Sequence, residues 1–478
     1  MDFYGHIIDG IEVPSLDGAT MDDVDPYTRE PWATIACGGP ADADRAVAAA
    51  RRAFDNGPWP RMGYEKRQAV LHRLAALMEE HAAELAMADT RDMGKPISQA
   101  RIDVARSAWN VRFFADHARM SISDMYPMDS GHHAYTRFDP VGVAVAISPW
   151  NFPLMLGTWK VAPALAWGNT VVMKPAEDTP VSATLWARLA LEAGLPPGVL
   201  NIVHGYGPDS AGAALTGNPD VDRITFTGES GTGKVISGAA ARNLVPVSLE
   251  LGGKGANIVF DDADLDNAVS WAVQAIFRNA GQICLSGSRL YLQSGIYDEF
   301  IARFVAAAEA MRAGDPKDPE TEFPLALASR EHFTKVSGYL DTVTADGGRI
   351  LTGGVGEGWS VRPTIIVDAP PTARVCREEI FGPVCVVQRF DDEADAIAAA
   401  NDTRYGLNAM VFTENLSRAH RVSAQLRAGT VWVNCFFIRD LRAPFGGVGD
   451  SGVGREGGSF SREFFTEPKA VIMQIADR

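Results

Sequence analysis

The chain has 478 residues, 46% of them hydrophobic and 22% charged, which supports a large core and about three domains. Its formal charge of −16 argues against nucleic-acid and anionic-membrane partners, since both reward clustered Lys and Arg. The five cysteines are odd in number and form no C-x-x-C, which argues against a disulfide framework and a metal cluster and favours a reducing compartment.

The first residues, MDFYGHIIDG, lack the apolar core of a signal peptide. The longest apolar run, Val141 to Trp150, is too short to span a bilayer. The expectation is a cytoplasmic protein. Residues 6–13, HIIDGIEV, place Asp-Gly between apolar pairs, a hairpin signal. Apolar spacing predicts helices over Pro40–Phe54, stopped by Asn56-Gly57-Pro58, over Tyr64–Asp89 as one piece, and over Ile97–Ala118.

From Val141 short apolar runs alternate with helical stretches. The runs are VGVAVAIS (141–148), TVVMK (170–174), VLNIVHG (199–205), RITFTG (223–228) and VSLEL (247–251), with helices such as Ser182–Ala193 and Gly233–Ala241 between them. This alternation predicts an α/β fold with a parallel sheet covered on both faces. Ligands in such sheets sit beyond the strands' carboxyl ends. A second α/β unit opens with ANIVF after Gly252-Gly253-Lys254. It continues through a helix over Leu265–Phe277, the strand RLYLQ, a helix over Tyr297–Met311, a polar connection over Asp315–Pro324, and two further strands with helices to Asn434. The tail Glu467–Ile475 alternates like a strand, and His132–Phe138 is its expected partner.

Four features carry candidate chemistry. Cys284 lies among small and polar residues in FRNAGQICLSGSR (277–289), where glycine permits unusual dihedrals and close approach; a buried, inert thiol is the plain alternative. Glu250 closes an apolar strand, where desolvation raises a carboxyl pKa toward a general base's range; a structural pairing with Lys254 competes with that role. The Asn151 amide can donate to an oxyanion or cap the following helix. Lys174 and Glu177, three apart at a strand end, suit the hydroxyls of an adenosine ribose, and a carboxylate there disfavours a 2′-phosphate. GESGTGK (228–234) has P-loop spacing, but Val235 stands where Mg²⁺ binding needs a hydroxyl. It remains a glycine-rich turn able to present a helix N-terminus to a pyrophosphate.

Taken together, PWNFP (149–153), WKVAPALAWGNTVVMKPAEDTP (159–180), FTGES (226–230), LELGGK (249–254), GQICLSGSR (281–289), EEIFGP (378–383) and PFGGVGDSGVGREGG (444–458) resemble the NAD(P)-dependent aldehyde dehydrogenase superfamily over nearly the whole chain. The resemblance implies a Rossmann-like NAD-binding domain (1–121 and 141–252), an α/β catalytic domain (253–450), and a small β oligomerisation arm with C-terminal tail (122–140 and 451–478). Homodimers or homotetramers are implied. By the same resemblance Cys284 is the nucleophile, Asn151 and the Cys284 N–H bind the oxyanion, and Glu250 activates the hydrolytic water. Ile147, Trp150, Lys174, Glu177, Gly207, Phe226, Gly228, Ser230, Glu379 and Phe381 are implied to hold NAD.

The form Gly228-Glu229-Ser230, with VNCFFIRDLRAPFGG (433–447) and DVARSAWNVRFFAD (103–116), is similar to the branch acting on hydroxymuconic and aminomuconic semialdehydes. A guanidinium fork suits such a carboxylate-bearing aldehyde. Arg106 and Arg439 are then expected at the substrate, with Phe152, Trp159 and Phe436 as apolar wall. A solvated helix face for Arg106 and an inter-subunit ion pair for Arg439 are the alternatives. At the level of function, the alternatives are oxidation of a neutral or benzaldehyde-like aldehyde and a catalytically silent structural relative.

Overall fold

A computed structural model describes residues 1–475. Five parallel strands build the first sheet in the spatial order Val247–Glu250, Arg223–Thr227, Val143–Ile147, Thr170–Lys174, Leu200–Ile202. Val143–Ile147 and Thr170–Lys174 are buried at every position, as their unbroken apolar runs require of a sheet covered on both faces. The chain leaves the first of these strands for one side and later returns to its other side at Arg223–Thr227. The switch point, and hence the ligand crevice, therefore lies between the carboxyl ends of Val143–Ile147 and Arg223–Thr227. The 6–13 hairpin forms as expected and extends one edge of the sheet, while Gly452–Val453 extends the other.

Helices cover this sheet. Pro153–Ala166 is buried at all 14 positions, which accounts for a sequence that is apolar all round. The predicted single helix over 64–89 is two, Tyr64–Glu80 and Ala82–Met93, broken at His81. Both halves pack on Ile97–Arg119 and on Val181–Glu192, and a continuous apolar periodicity does not record a break at one residue.

The second sheet runs Arg349–Val355, Val361–Val367, Val384–Phe390, Arg289–Gln293, Ala256–Val259, Asn408–Phe412, Thr430–Val433, parallel except at its first strand. The stretch from 325 to Asn434 thus holds five strands rather than two. Leu265–Phe277 forms as predicted, its N-terminus capped by Asp264, whose carboxylate accepts from the N–H groups of Asp266 and Asn267. The loop carrying Cys284 enters Arg289–Gln293, so it sits at the amino edge of the second sheet and faces the carboxyl edge of the first.

The third expected piece also forms. Thr466–Gln474 pairs antiparallel with His132–Pro140, and Met125–Pro127 adds a third strand. Of residues 451–475, only this strand joins the arm. Gly458–Phe465 packs on Pro153–Ala166 instead. No described helix is long and apolar enough to cross a membrane.

Candidate active site

The helix Leu265–Phe277 ends and the chain turns sharply into the cysteine loop. Asn279 (φ 50°), Ala280 (φ 52°) and Gly281 (φ 69°) are all left-handed. Holding Ala280 there costs roughly 1–2 kcal/mol, so the surroundings must over-determine the turn. They do: a Cβ on Gly281 would lie 2.1 Å from the Gly382 carbonyl oxygen, the Asn279 N–H donates to Gln99 Oε1 at 3.1 Å, and Gln282 Oε1 accepts from the Ala328 N–H at 3.0 Å. Gly253 lets a second backbone pass close by, since a Cβ there would lie 2.6 Å from the Cys284 carbonyl oxygen.

Cys284 emerges partly exposed. Burial of the sulfur pushes its pKa up to about 12, and the charges of Glu379 and Glu250 add to the rise while Arg439 opposes it. The resting group is therefore a protonated thiol.

Asn151 does not cap the following helix: Phe152 occupies that position, without a side-chain cap. Its Nδ2 donates instead to the Gln282 carbonyl at 2.9 Å, two residues before Cys284. The Asn151 backbone is held too, its carbonyl accepting from Lys95 Nζ at 2.8 Å and Asn279 Nδ2 at 3.2 Å. Lys95 is in turn fixed by a fully buried pair with Asp103 at 2.7 Å and stands 4.0 Å over the Phe152 ring.

Glu250 closes the edge strand. Neither carboxylate oxygen has a hydrogen-bond partner among the described residues, so the pairing with Lys254 does not form; Lys254 Nζ is likewise without a partner. Burial drives the Glu250 pKa well above the ordinary range, and Glu456 adds to it; Lys160, Arg439 and Arg455 pull the other way. Glu456 is itself anchored, accepting from Lys160 Nζ at 2.9 Å and Thr225 Oγ1 at 3.1 Å.

Arg439 packs its guanidinium between aromatic faces, 4.5 Å from the Trp159 ring centroid and 3.8 Å from that of Phe445. It has no acid within ion-pair distance among the described residues. Burial lowers its pKa to about 10, as does the charge of Arg106, while Glu250, Glu456 and Cys284 raise it. Arg106 lies 5.6 Å from the Phe437 ring centroid; it too is held low by burial, with Asp103 opposing and Arg278 adding to the fall. Arg106 is half-buried rather than on a solvated helix face, and Arg439 makes no ion pair within its own chain among the described residues.

Of the expected apolar wall, Phe152 and Trp159 are each 3% exposed and flank the cluster. Phe436 is 1% exposed, packs edge-on to Trp432 and lies 5.4 Å from the ring of Phe437. Phe437, partly exposed and at φ 62°, stacks on Phe152 at 6.2 Å.

At the crevice, Lys174 Nζ is buried and donates to the Pro175 carbonyl at 3.0 Å and to Glu177 Oε2 at 3.2 Å. Ile147 and Phe226 end adjacent strands and pair in register. The Phe226 ring lies against Gly228, where a Cβ would meet it at 2.3 Å. Ser230 begins the helix Ser230–Ala241, but its hydroxyl donates to the Asp450 carbonyl at 2.7 Å, leaving the backbone N–H groups of the first turn to face a ligand. Glu229 pairs with Lys335 Nζ at 2.9 Å rather than capping that helix. Gly207 sits in the loop beyond Leu200–Ile202, its carbonyl accepting from the Ala213 N–H. Trp150 and Phe381 meet edge-on at 5.2 Å, and Phe381, at φ 59°, accepts from His332 Nε2 at 2.7 Å. Glu379 accepts from the Gly253 N–H at 2.8 Å, and burial takes its pKa to about 7. A buried lysine paired with a half-exposed glutamate, free helix N–H groups and an aromatic shelf around one switch-point crevice fit a dinucleotide.

Lys95, Glu456, His332, Phe437 and Arg278 were not foreseen. Arg278 alone carried a local signal, as the only charge between Phe277 and Ser288.

A strand-end carboxyl, an amide and a thiol held together between two α/β units define a class. The chain matches the model of the aldehyde dehydrogenase family over residues 13–471, and it belongs to that family. It is 46% identical over 484 residues to the 2-hydroxymuconic semialdehyde dehydrogenase of Pseudomonas sp. (strain CF600), covering 98% of this chain and 99% of that protein. It is 44% identical over 475 residues to the mitochondrial benzaldehyde dehydrogenase of Antirrhinum majus, covering 98% and 88%. The crystal structure of an indole-3-acetaldehyde dehydrogenase complexed with NAD+ superposes with a TM-score of 0.97 at 40% identity, over 99% of this chain and 97% of that one.

Proposed function

We propose that the protein oxidises a carboxylate-bearing semialdehyde of the 2-hydroxymuconic type to the acid, with NAD as cofactor. The observation that carries this reading is Arg439: a guanidinium set between the Trp159 and Phe445 rings without an acid partner among the described residues, whose charge acts on Cys284 and Glu250. A neutral aldehyde gives such a cation nothing to bind. The relative of that name at 46% identity supports the same substrate.

The Cys284 thiol loses its proton to water as Sγ adds to the aldehyde carbon, and the carbonyl π electrons move onto the oxygen to give the thiohemiacetal oxyanion. The Asn151 amide and the Cys284 N–H hold the oxygen, the amide already pinned beside the loop by Gln282. The chemistry the dinucleotide supplies when bound is that of a hydride acceptor. Once the carbon is oxidised, Cys284 carries the acyl group as a thioester. Glu250 takes a proton from water, the hydroxyl attacks the thioester carbon, and the thiol leaves with the carboxylate product. A carboxylate with neither oxygen engaged is free to hold that water.

Lys174 and Glu177 hold the adenosine ribose, with Ile147, Trp150, Gly207 and Phe226 lining the crevice. The N–H groups of the first turn of Ser230–Ala241 meet the pyrophosphate beside Gly228, whose own N–H donates to the Glu250 carbonyl, and Glu379 and Phe381 fix the nicotinamide end. Residues 1–121 and 141–252 form the NAD-binding domain, 253–450 the catalytic domain, and 122–140 with 451–478 the arm and tail. The arm exposes Met125, Tyr126, Ile472 and Ile475 at 49–66%, which supports assembly into a homodimer or homotetramer.

Steady-state turnover of 2-hydroxymuconic semialdehyde against benzaldehyde tests the substrate. The semialdehyde is expected to win in kcat/KM, and Arg439→Ala to remove the preference. The second reading, a benzaldehyde-type substrate, is favoured by the aromatic set Phe152, Trp159 and Phe437 and by the Antirrhinum relative. It prevails if benzaldehyde wins and Arg439→Ala leaves the semialdehyde KM alone.

A further inference from the structure

Arg106 is not alone over Phe437. Arg278 places its guanidinium 5.5 Å from the same ring centroid, against 5.6 Å for Arg106. The two come from different elements, Arg106 from the middle of Ile97–Arg119 and Arg278 from the residue following Leu265–Phe277. Phe437 presents its ring to both from a left-handed backbone, φ 62°, a conformation unfavourable for a phenylalanine and maintained only by its surroundings.

Neither guanidinium donates a hydrogen bond or joins an ion pair among the described residues. The acid preceding Arg106 on its helix, Asp103, pairs with Lys95 through Oδ2 and reaches Arg106 by its charge alone, without an ion pair. Arg439 is also unpaired, so three cations converge in a chain whose net charge is −16. Like charges brought together and partly removed from water repel, and one shared ring face offsets little of that. The cluster is electrically unfinished unless an anion completes it. A single carboxylate accepts one bidentate fork at each edge. Arg439 and Arg106 use up that capacity, and Arg278 is left over.

We propose that Arg278 is a specificity-determining residue of the substrate end and that the preferred substrate is a semialdehyde bearing two carboxylates. One is held between Arg439 and Arg106, and the other reaches Arg278. This rests on the carboxylate-binding reading above and narrows it. The competing role for Arg278 is structural, a cation at a helix C-terminus complementing its dipole, although it makes no hydrogen bond to that helix's carbonyls.

The experiment compares KM for 2-hydroxymuconic semialdehyde, which has one carboxylate, with KM for a linear semialdehyde of similar length carrying a second carboxylate. Wild type, Arg278→Ala, Arg278→Lys and Arg439→Ala are measured, with thermal midpoints. Wild type is expected to prefer the dicarboxylate. Arg278→Ala is expected to raise the dicarboxylate KM by about 10–100-fold, the size of one lost charge-assisted contact, and the monocarboxylate KM by less than about threefold. Arg278→Lys is expected to recover part of the difference. Equal changes for both acids, or a lowered midpoint with an unchanged KM ratio, overturn the proposal. Arg439→Ala separates the two levels: if it leaves the monocarboxylate KM unchanged, the carboxylate reading itself falls; if it raises that KM while Arg278→Ala does not discriminate, only the role of Arg278 falls.

Discussion

The two ends of the site handle charge in opposite ways. Around Cys284 and Glu250 burial suppresses it: the thiol is pushed to about 12, and the carboxyl is held well above its usual range. At the other end charge persists without partners among the described residues, in Arg106 and Arg278 over Phe437 and in Arg439 over Trp159 and Phe445. The reacting end develops its charge during the chemistry, as an oxyanion and then a hydroxide. The recognition end carries standing charge because its ligand brings the counter-charge. Changes at the first end are therefore expected to affect every aldehyde alike, and changes at the second only anionic ones.

Cys284→Ala tests the first half most severely. NADH formation is expected to fall at least about 10⁴-fold for anionic and neutral aldehydes together, while NAD binding, read by calorimetry, persists. Next comes Asn151→Ala, which removes one oxyanion donor and is expected to lower kcat about 10²–10³-fold, again irrespective of substrate. A loss confined to one aldehyde class would break the division between the two ends. Arg439→Ala works on the other half: KM for a carboxylate-bearing aldehyde should rise about 10–100-fold and that for benzaldehyde should not rise with it.

pH sharpens the same contrast. Glu250 accepts a proton only when ionised, and its raised pKa keeps it protonated further up the scale than an ordinary glutamate. The kcat of hydrolysis should therefore fall about tenfold per unit as pH drops below that pKa and level off above it. The smallest expected effect concerns stability. Burial lifts the pKa of Asp89 to about 6 against the pull of Lys95. The folded chain thus holds a proton there that the unfolded chain releases at lower pH. That contribution, about 3 kcal/mol, is complete below the ordinary aspartate range and lost as pH rises through about 6. Asp89→Asn should flatten the thermal midpoint across that window.

Much of this was legible in the sequence. TVVMK, RLYLQ and the helix Leu265–Phe277 fall on the predicted residues, because buried parallel strands and a capped amphipathic helix are local patterns. The pairing of His132–Phe138 with the tail followed from alternation at both. Glu250 at a strand end and Asn151 in a proline-flanked turn were readable for the same reason. The break at His81 and the five strands before Asn434 were not, since each depends on what the segment packs against. Phe436 and Phe437 are adjacent and chemically identical, and only a left-handed residue in a loop decides which one turns inward. Lys95 reaches the site from a distant element, and nothing local marks that convergence.

The central claim is that Cys284 carries a covalent acyl group which Glu250 releases, whichever aldehyde supplied it. Rapid mixing of Glu250→Gln with NAD and either 2-hydroxymuconic semialdehyde or benzaldehyde tests this directly. The account predicts a burst of NADH of about one equivalent per site with both aldehydes, then a stall at the thioester. A linear time course at the wild-type rate, or a burst with one aldehyde and none with the other, would contradict it.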